Sequence, residues 1–219
     1  MLVFRTLTWL VDAVPSSDKA RVESALGSLS VLSLPGGSSL GPDRFEKVSV
    51  LLVEDGLVLL SASNQGSARR IVVSLAGPGS VLLPPSAHQR LQALADARVT
   101  LVPSGSKPRL FEVPAAAIAI LEGFEGGLRD SQESLAHFAR GRHAERVRLK
   151  LIQLARSYGR VGTDGLLLDL PLTHELLADM VGSTRETVTR ALAQLAHEGI
   201  IRHERGRYRI AVSPEAIDT

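Results

Sequence analysis

The stretch VGSTRETVTRALAQLAHEGII, residues 181–201, sets charged groups at the start of a helix that has one apolar face. Its apolar residues recur at steps of three and four and predict a buried face: Val188, Ala191, Leu192 and Leu195. Arg185, Glu186 and Arg190 lie outside that face. An arginine can bind guanine O6 and N7 together, and a carboxylate can accept from cytosine N4. These three side chains are therefore predicted to read base edges in the major groove of DNA.

The elements around these residues predict a helix-turn-helix. HELLADMV supplies a first helix, with Thr173 as its N-cap, and Gly182 suits the tight turn that follows. Ser183 is predicted to cap the second helix, with Glu186 at capping-box spacing. Other interpretations stay open at this point, because Glu186 can serve only the cap and Arg190 can pair with it on a solvated face. The sequence offers Arg185 no comparable structural role.

A small hairpin is predicted after the second helix, in HEGIIRHERGRYRIAV. It resembles the wing of a winged helix and carries four arginines: Arg202, Arg205, Arg207 and Arg209. Residues 139–212 hold 13 Lys and Arg against 8 Asp and Glu, a net charge of +5 within a chain of net charge +2. This asymmetry favours a polyanionic partner, although an ordinary solvated surface would also show a modest excess.

The first half of the chain is predicted to be mostly β-structure. Residues 1–30 indicate helix followed by loop, and short β-type runs bounded by turn residues come next. The predicted strands are 47–53, 57–63, 69–75, 80–83, 97–102 and 109–113. Their close spacing favours an antiparallel barrel or sandwich over repeated strand-helix-strand units.

Helices are predicted again after Pro114, a residue suited to a first helical turn. We expect a short helix broken around Gly123, Gly126 and Gly127. A seam at alternating steps of four and three residues follows, suited to pairing with a second helix: Phe124, Leu128, Ser131, Leu135 and Phe138. Packing on the chain's own barrel is the alternative for this seam.

One more helix is predicted over residues 143–159, before a strand-like run at 166–172. Its apolar face comprises Val147, Leu151, Leu154 and Ala155, and its basic residues Arg146, Arg148 and Lys150 are expected elsewhere. The predicted domains are a β-roll sensor-like domain at 1–113, a dimerisation helix region at 114–139, and a winged helix-turn-helix at 140–219.

Composition excludes several kinds of chemistry. The chain has no cysteine, which rules out disulfides, thiolate catalysis and Cys-ligated zinc or iron–sulfur sites. The N-terminal run makes a poor signal peptide, and no apolar run approaches the length of a membrane span, so we expect a cytoplasmic protein without membrane contact. The histidines lack a carboxylate and nucleophile at useful spacing, so neither an enzyme, a metal site nor a cofactor is expected.

The run LTHELLADMVGSTRETVTRALAQLAHEGII, residues 172–201, strongly resembles the DNA-binding domain of the Crp–Fnr (catabolite activator protein) family of bacterial transcription regulators. The resemblance is specific over residues 140–212 and weaker, but collinear, over 1–139. It implies an α+β architecture with three parts. These are an N-terminal cyclic-nucleotide-binding-like β-roll, a long dimerisation helix and a C-terminal winged helix-turn-helix.

The resemblance also assigns roles within the DNA-binding domain. It implies that Arg185, Glu186 and Arg190 contact base edges in a TGTGA-like palindrome. It places four further residues at phosphates of the DNA backbone: His174, Thr184, Thr187 and Arg207. It implies a homodimer bound to double-stranded DNA, with RNA polymerase contacted by a loop at about residues 160–168.

The sensor region departs from the family pattern. Members that bind cyclic AMP carry a Gly-Glu pair followed by Arg-Ser or Arg-Thr, whereas the chain has no acidic residue between Gly77 and Asp96. Arg90 lies near the expected arginine, but Leu91 follows it. Enclosing a phosphate without matched donors is costly. Cyclic AMP binding is therefore not expected, the missing cysteines exclude an iron–sulfur cluster, and a lone His88 is weak support for haem.

The leading hypothesis from the sequence is a homodimeric, sequence-specific activator that binds DNA without cyclic AMP. The alternative is a regulator gated by an unidentified small molecule in the β domain, which requires a ligand that shifts the dimer between two states.

Overall fold

The structure is a computed structural model, and it describes residues 8–27, 29–63, 70–106, 111–139, 141–162, 165–204 and 206–211. The chain divides into two compact units. The first comprises residues 1–68 and 73–129, and the second comprises residues 69–72 and 130–219. No helix in the described ranges combines the length and apolarity that a membrane span requires.

The N-terminal part begins with two helices, α1 (Thr8–Ala13) and α2 (Ser16–Gly27). Eight strands follow: β1 (Ser30–Leu34), β2 (Ser39–Leu40), β3 (Val48–Asp55), β4 (Val58–Ser63), β5 (Arg70–Ala76), β6 (Val81–Leu82), β7 (Gln89–Ala93) and β8 (Ala97–Pro103). They form two four-stranded sheets, ordered β1-β8-β3-β6 and β2-β7-β4-β5. The observed pairings are antiparallel, as the strand spacing predicts.

Buried residues from both sheets share one core, which explains why the strands close into a compact β domain. Leu51 and Val99 come from one sheet and Leu91 from the other, and none of the three is exposed. A second core packs α1 and α2 against β3, β8 and the following helix through Leu10, Val22 and their neighbours.

In the described N-terminal part, three strands were not predicted, and one predicted strand is wrong. β1, β2 and β7 were missed because their runs are short, serine-rich or polar, and their pairing partners lie far away in sequence. Residues 111–113 of the predicted strand 109–113 are instead a helical residue, a turn and a bend before Pro114. Residues 109 and 110 lie outside the described ranges.

The helix after Pro114 is continuous, so the predicted break at the glycines is wrong. α3 (Pro114–Phe138) runs for 25 residues. A Cβ built at Gly123 would lie 2.5 Å from Val81 Cγ2 and 2.9 Å from the Gly79 carbonyl oxygen. This glycine therefore permits close packing of the helix on a strand, rather than ending the helix.

The exposed stripe of α3 also differs from the predicted seam. Phe124 packs against the chain's own core, and Ser131 and Phe138 are half-buried. The exposed apolar residues are Ile118, Leu121, Leu128 and Leu135, at 56%, 56%, 61% and 67% exposure. Three of them are leucines at intervals of seven, with Glu125 and Gln132 between them on the same stripe. This pattern is typical of one side of a coiled coil.

The C-terminal part contains three helices and a small sheet. The helices are α4 (His143–Tyr158), α5 (His174–Val181) and α6 (Arg185–His197). The strands are β9 (Arg160–Gly162), β10 (Gly165–Leu168), β11 (Ile201–Glu204) and β12 (Arg207–Ile210), in the order β11-β12-β10-β9. The predicted strand 166–172 thus ends at Leu168. The predicted apolar faces of α4 and α6 are buried.

Lys150 is the exception on α4, because it is buried at 8% exposure instead of lying on the solvated side. Its ammonium donates to Ser134 Oγ at 2.6 Å and to Gln153 Oε1 at 2.7 Å. The Gln153 amide donates in turn to the carbonyl oxygen of Asp130 at 2.9 Å. These bonds connect the last turns of α3 to α4.

Candidate nucleic-acid interface

The turn between α5 and α6 fixes where the second helix begins. Thr173 caps α5 by accepting from the Leu176 N–H at 3.0 Å, as predicted. Gly182 ends α5 in the left-handed region at φ 61°, where a side chain is strained. A Cβ built there would lie 2.5 Å from Phe138 Cε1. Gly182 therefore allows both the tight turn and the close approach of the Phe138 ring.

The cap of α6 is Thr184, so the predicted cap at Ser183 is wrong. Thr184 Oγ1 accepts from the Thr187 N–H at 3.3 Å, and its hydroxyl lies 3.1 Å from that of Thr187. The Ser183 hydroxyl is instead 3.0 Å from His143 Nδ1, at the start of α4. A contact 40 residues away thus takes the hydroxyl that the capping-box spacing had favoured.

Glu186 is fully exposed in the first turn of α6, and its carboxylate is stabilised in the ionised form. Its own backbone N–H, the hydroxyl of Thr184 and the charges of Arg185 and Arg190 hold the pKa of the carboxyl below its usual range. The helix N-terminus also favours negative charge. Glu186 is therefore an ionised acceptor, as contact with a cytosine amino group requires.

Arg185 and Arg190 are exposed on the same side of α6 as Glu186. Within the described part of the chain, the Arg185 guanidinium makes no hydrogen bond or ion pair, and that of Arg190 makes one long contact, 3.5 Å to Thr187 Oγ1. No ion pair within 4 Å joins Arg190 to Glu186, although the sequence left that pairing open. Both guanidinium groups are thus available to a ligand.

His174 and Thr189 connect the two helices of the motif. His174 Nδ1 lies 2.8 Å from Thr189 Oγ1, and the same hydroxyl donates to the Arg185 carbonyl oxygen at 2.9 Å. The sequence alone gave Thr189 no partner. The only signal was its position on the face of Arg185 and Arg190, because His174 lies 15 residues earlier.

The predicted wing is a hairpin of β11 and β12 joined through Gly206, which has φ 80°. Tyr208 is buried and stacks on His203 with ring centroids 4.5 Å apart. Arg207 pairs with Asp169 at 2.9 Å, and both side chains are about half exposed. Sequence reasoning missed this acidic partner of a predicted phosphate contact. Arg205 lies outside the described residues.

The strand register aligns three further arginines across the outer face of the small sheet. Arg202 lies opposite Arg209, Arg209 opposite Leu167, and Leu167 opposite Arg160. We call Arg160, Arg202 and Arg209 the arginine row. The Arg209 guanidinium extends over Gly162, 3.3 Å from a Cβ built there. Among the described residues, no carboxylate lies within 4 Å of the row.

In the described part of the β domain, Arg90 is already engaged and the segment before it is not helical. Arg90 Nε donates to Ser39 Oγ at 2.8 Å, and its terminal nitrogen donates to the Ser39 carbonyl oxygen at 3.2 Å. Residues 83–88 form coil and a turn rather than a helix whose N-terminus faces an anion. No cluster of three or more potential metal ligands occurs in the described ranges.

Comparison with known proteins matches the C-terminal part to one family model. A Crp-like helix-turn-helix domain covers residues 145–215. The global nitrogen regulator of Synechococcus elongatus is 36% identical over 95 residues, which are 42% of this chain and 41% of that protein. The CRP-like cAMP-activated global transcriptional regulator of Mycobacterium tuberculosis is 46% identical over 59 residues, 27% of this chain and 26% of that protein.

The fold matches over a longer stretch than the sequence. The structure of a CooA mutant from Carboxydothermus hydrogenoformans superposes with a TM-score of 0.75 at 19% identity, covering 100% of this chain and 96% of that one. Each curated relative above shares less than half of its length with the chain. The cyclic-nucleotide-binding-like β domain, the long helix and the helix-turn-helix together match the architecture of solved Crp/FNR structures, and residues 145–215 match a Crp-like helix-turn-helix domain.

Proposed function

We propose that the chain is a homodimeric transcription regulator that binds a TGTGA-like palindrome in double-stranded DNA without cyclic AMP. The observation that carries the proposal is the exposed, ionised set of Arg185, Glu186 and Arg190 on the first turns of α6. Two unpaired arginines and one carboxylate suit two guanines and one cytosine amino group. The sequence motif of the family assigns the same three residues to bases.

Phosphate contacts at the sides of α6 would hold the protein in register on the duplex. Thr184 caps α6 and Thr187 contacts that cap, so their hydroxyls lie beside the first free N–H groups of the helix. His174 begins α5, and Arg207 lies on the wing beside its partner Asp169. The arginine row adds cationic groups on the same domain and supports a strong dependence of binding on salt.

A homodimer is supported by the leucine stripe of α3. An exposed row of Leu121, Leu128 and Leu135 costs free energy in water and is stabilised when a second copy of the helix covers it. A twofold-related pair of domains matches the symmetry of a palindrome, with one recognition helix for each half-site.

We further propose an activating role through contact with RNA polymerase, and this part of the proposal rests on family likeness. The hairpin of β9 and β10 corresponds to the polymerase-contacting loop of the family, and Val161 on its edge strand is 79% exposed. An exposed apolar side chain on a short edge strand suits contact with another protein.

Independence from cyclic AMP is supported by Arg90 and the segment before it. The guanidinium already binds Ser39, and the acidic residue that would hold a ribose hydroxyl is missing from the sequence. The alternative, gating by a different small molecule, is favoured by the retained β domain, and DNA binding that requires an added metabolite would identify it.

The first test is binding of the purified chain to a TGTGA palindrome and to a scrambled duplex, with and without cyclic AMP. We expect tight binding to the palindrome alone, unchanged by nucleotide. Arg185→Ala should weaken binding to the palindrome by about 10- to 100-fold, the range of one bidentate base contact. Arg148→Ala, which removes a half-exposed arginine of α4 that pairs with Glu145, is the control for the loss of one positive charge. Equal, weak binding to both duplexes under all conditions would refute the proposal.

A further inference from the structure

Thr189 lies at the centre of the exposed side of α6, one turn after Arg185 and next to Arg190. Its hydroxyl makes two contacts within the protein. It donates to the Arg185 carbonyl oxygen at 2.9 Å, and it lies 2.8 Å from His174 Nδ1. The side chain is nevertheless exposed, so part of it faces the space that a ligand of α6 would enter.

The single proton of the hydroxyl decides the direction of the second contact. A threonine hydroxyl has one proton, and that proton is directed to the Arg185 carbonyl oxygen. The imidazole must therefore donate from Nδ1 to Thr189 Oγ1. When the proton of a neutral ring is on Nδ1, Nε2 can only accept a hydrogen bond. Nε2 can donate to a phosphate only in the imidazolium, which carries a proton on both nitrogens.

These bonds occupy the hydroxyl of Thr189, so its methyl group is the branch of this exposed side chain that is left for a ligand to contact. The oxygen and the methyl share one tetrahedral carbon, so fixing the oxygen fixes the methyl. A thymine differs from other bases in the major groove by its C5-methyl group, and a threonine methyl is a suitable apolar contact for it.

We propose that Thr189, oriented by His174, is a specificity-determining residue that contacts the C5-methyl of one thymine in each half-site through its own methyl group. The inference rests on the proposed function, because it requires α6 to enter the major groove. Thr189 lies between Arg185 and Arg190 on α6, so the thymine that it contacts would lie within the half-site that the two arginines read. His174 is then a positioning residue in addition to its predicted phosphate contact.

The test replaces each thymine of the half-site in turn with deoxyuridine, which removes only the C5-methyl. Wild-type protein should lose about fourfold in affinity at one position, the value of one buried methyl group. Thr189→Ser keeps the hydroxyl and removes the methyl, so it should lose sensitivity to deoxyuridine at that position. Thr189→Val removes the hydroxyl but keeps methyl groups in the one rotamer that valine strongly prefers in a helix, so it should retain the sensitivity.

Two further variants separate this contact from a general effect on folding. Thr173→Ser also shortens an exposed threonine in the same domain while keeping the α5 cap, and it should respond to deoxyuridine as the wild type does. His174→Ala should shrink the fourfold penalty, because the Thr189 side chain is then held only by its bond to the Arg185 carbonyl oxygen.

The outcomes distinguish failure of this inference from failure of the proposed function. If the wild type does not prefer the palindrome over a scrambled duplex, the proposed function is refuted, and the inference fails with it. If the wild type prefers the palindrome but no deoxyuridine position separates it from Thr189→Ser, the methyl contact alone is refuted. Loss of sensitivity in Thr189→Val would show that the hydroxyl makes the contact, which also overturns the inference.

Discussion

Lys150 shows how one buried side chain makes stability depend on pH. Burial lowers the pKa of its ammonium from 10.5 to about 8, against the opposing charges of Asp130 and Glu133. Both of its hydrogen-bond acceptors are neutral, and neither supplies the negative charge that would offset the loss of water. The neutral amine still donates to Ser134 and Gln153, so deprotonation removes the cost and keeps the contacts.

We therefore expect the free energy of unfolding to rise with pH in weakly alkaline solution. Between the folded pKa of about 8 and the unfolded value of 10.5, the unfolded chain binds more protons than the folded one. From about pH 7.5 to 9.5 the gain is about 2 kcal/mol, measured by urea unfolding. Lys150→Met should abolish this slope.

Tyr208 is the control for that measurement. Burial raises the pKa of its phenol, so it opposes the trend only at higher pH, as unfolded tyrosine ionises. Tyr208→Phe should keep the slope below pH 9.5. A slope that survives in Lys150→Met would assign the effect to another group.

Residue types and spacing placed Arg185, Glu186 and Arg190 together on the exposed side of α6, as the structure does, but they did not predict the contacts around them. Arg185 stood out because no packing or capping role explained it. Ser183 and Thr184 satisfy equally good local rules, and the choice depended on His143, which takes the serine hydroxyl. Lys150 was expected in solvent because of its charge, and its burial depends on Ser134 and Gln153, one of them 16 residues away.

At the scale of elements, α3 has two faces with different roles. Ala116, Ala119 and Ile120 are buried on one face, and Gly123 continues that face where the helix approaches Val81. The leucine stripe lies on the exposed side. Sequence periodicity detected the heptad spacing of Leu128 and Leu135 but also assigned Phe124 and Phe138 to the seam, because these two residues lie two heptads apart.

Charges on the leucine stripe should separate the proposed dimer. Leu128→Glu with Leu135→Glu places four carboxylates in a twofold interface, so we expect a monomer by sedimentation equilibrium. Affinity for the palindrome should fall by about 100-fold or more, because the second half-site no longer benefits from linkage. Val31→Glu, an exposed valine on β1, should leave the dimer intact. A dimeric double variant would place the interface elsewhere.

Helix and strand prediction from the sequence failed at a glycine within a helix and at strands with polar sequences. Gly123 has the same local signature as a helix breaker, and only the strand beside it shows that it serves close packing. β7, with sequence QRLQA, lacks the β-branched residues typical of strands, and it forms because β2 and β4 pair with it on either side.

At the scale of the whole molecule, the two compact units differ in how well their residues support a binding function. The C-terminal unit matches a Crp-like helix-turn-helix domain and carries the three side chains that we propose to read bases, whereas in the described part of the β domain Arg90 is bound to Ser39. The architecture was predicted by resemblance, whereas the engagement of Arg90 by Ser39, 51 residues away, needed the structure.

Thermal unfolding with and without millimolar cyclic AMP tests whether the β domain binds this nucleotide. A ligand at 100 times its dissociation constant stabilises the folded state by about 2.7 kcal/mol, which a melting curve detects readily. We expect no shift for the wild type and none for Arg90→Gln. A rise in the melting temperature that increases with nucleotide concentration and disappears in Arg90→Gln would contradict the sensor assignment.

The arginine row has a consequence for how the C-terminal domain responds to ionic strength. Arg202 and Arg209 are directly opposite across the β11–β12 hairpin, and like charges in that position repel. Added salt screens this repulsion and strengthens the hairpin, while the same salt weakens attraction to phosphates. The stability of the hairpin and its affinity for a polyanion therefore change in opposite directions when salt is added. A phosphate backbone bound at the arginine row would neutralise the repelling charges, and it would therefore stabilise the same hairpin that binds it.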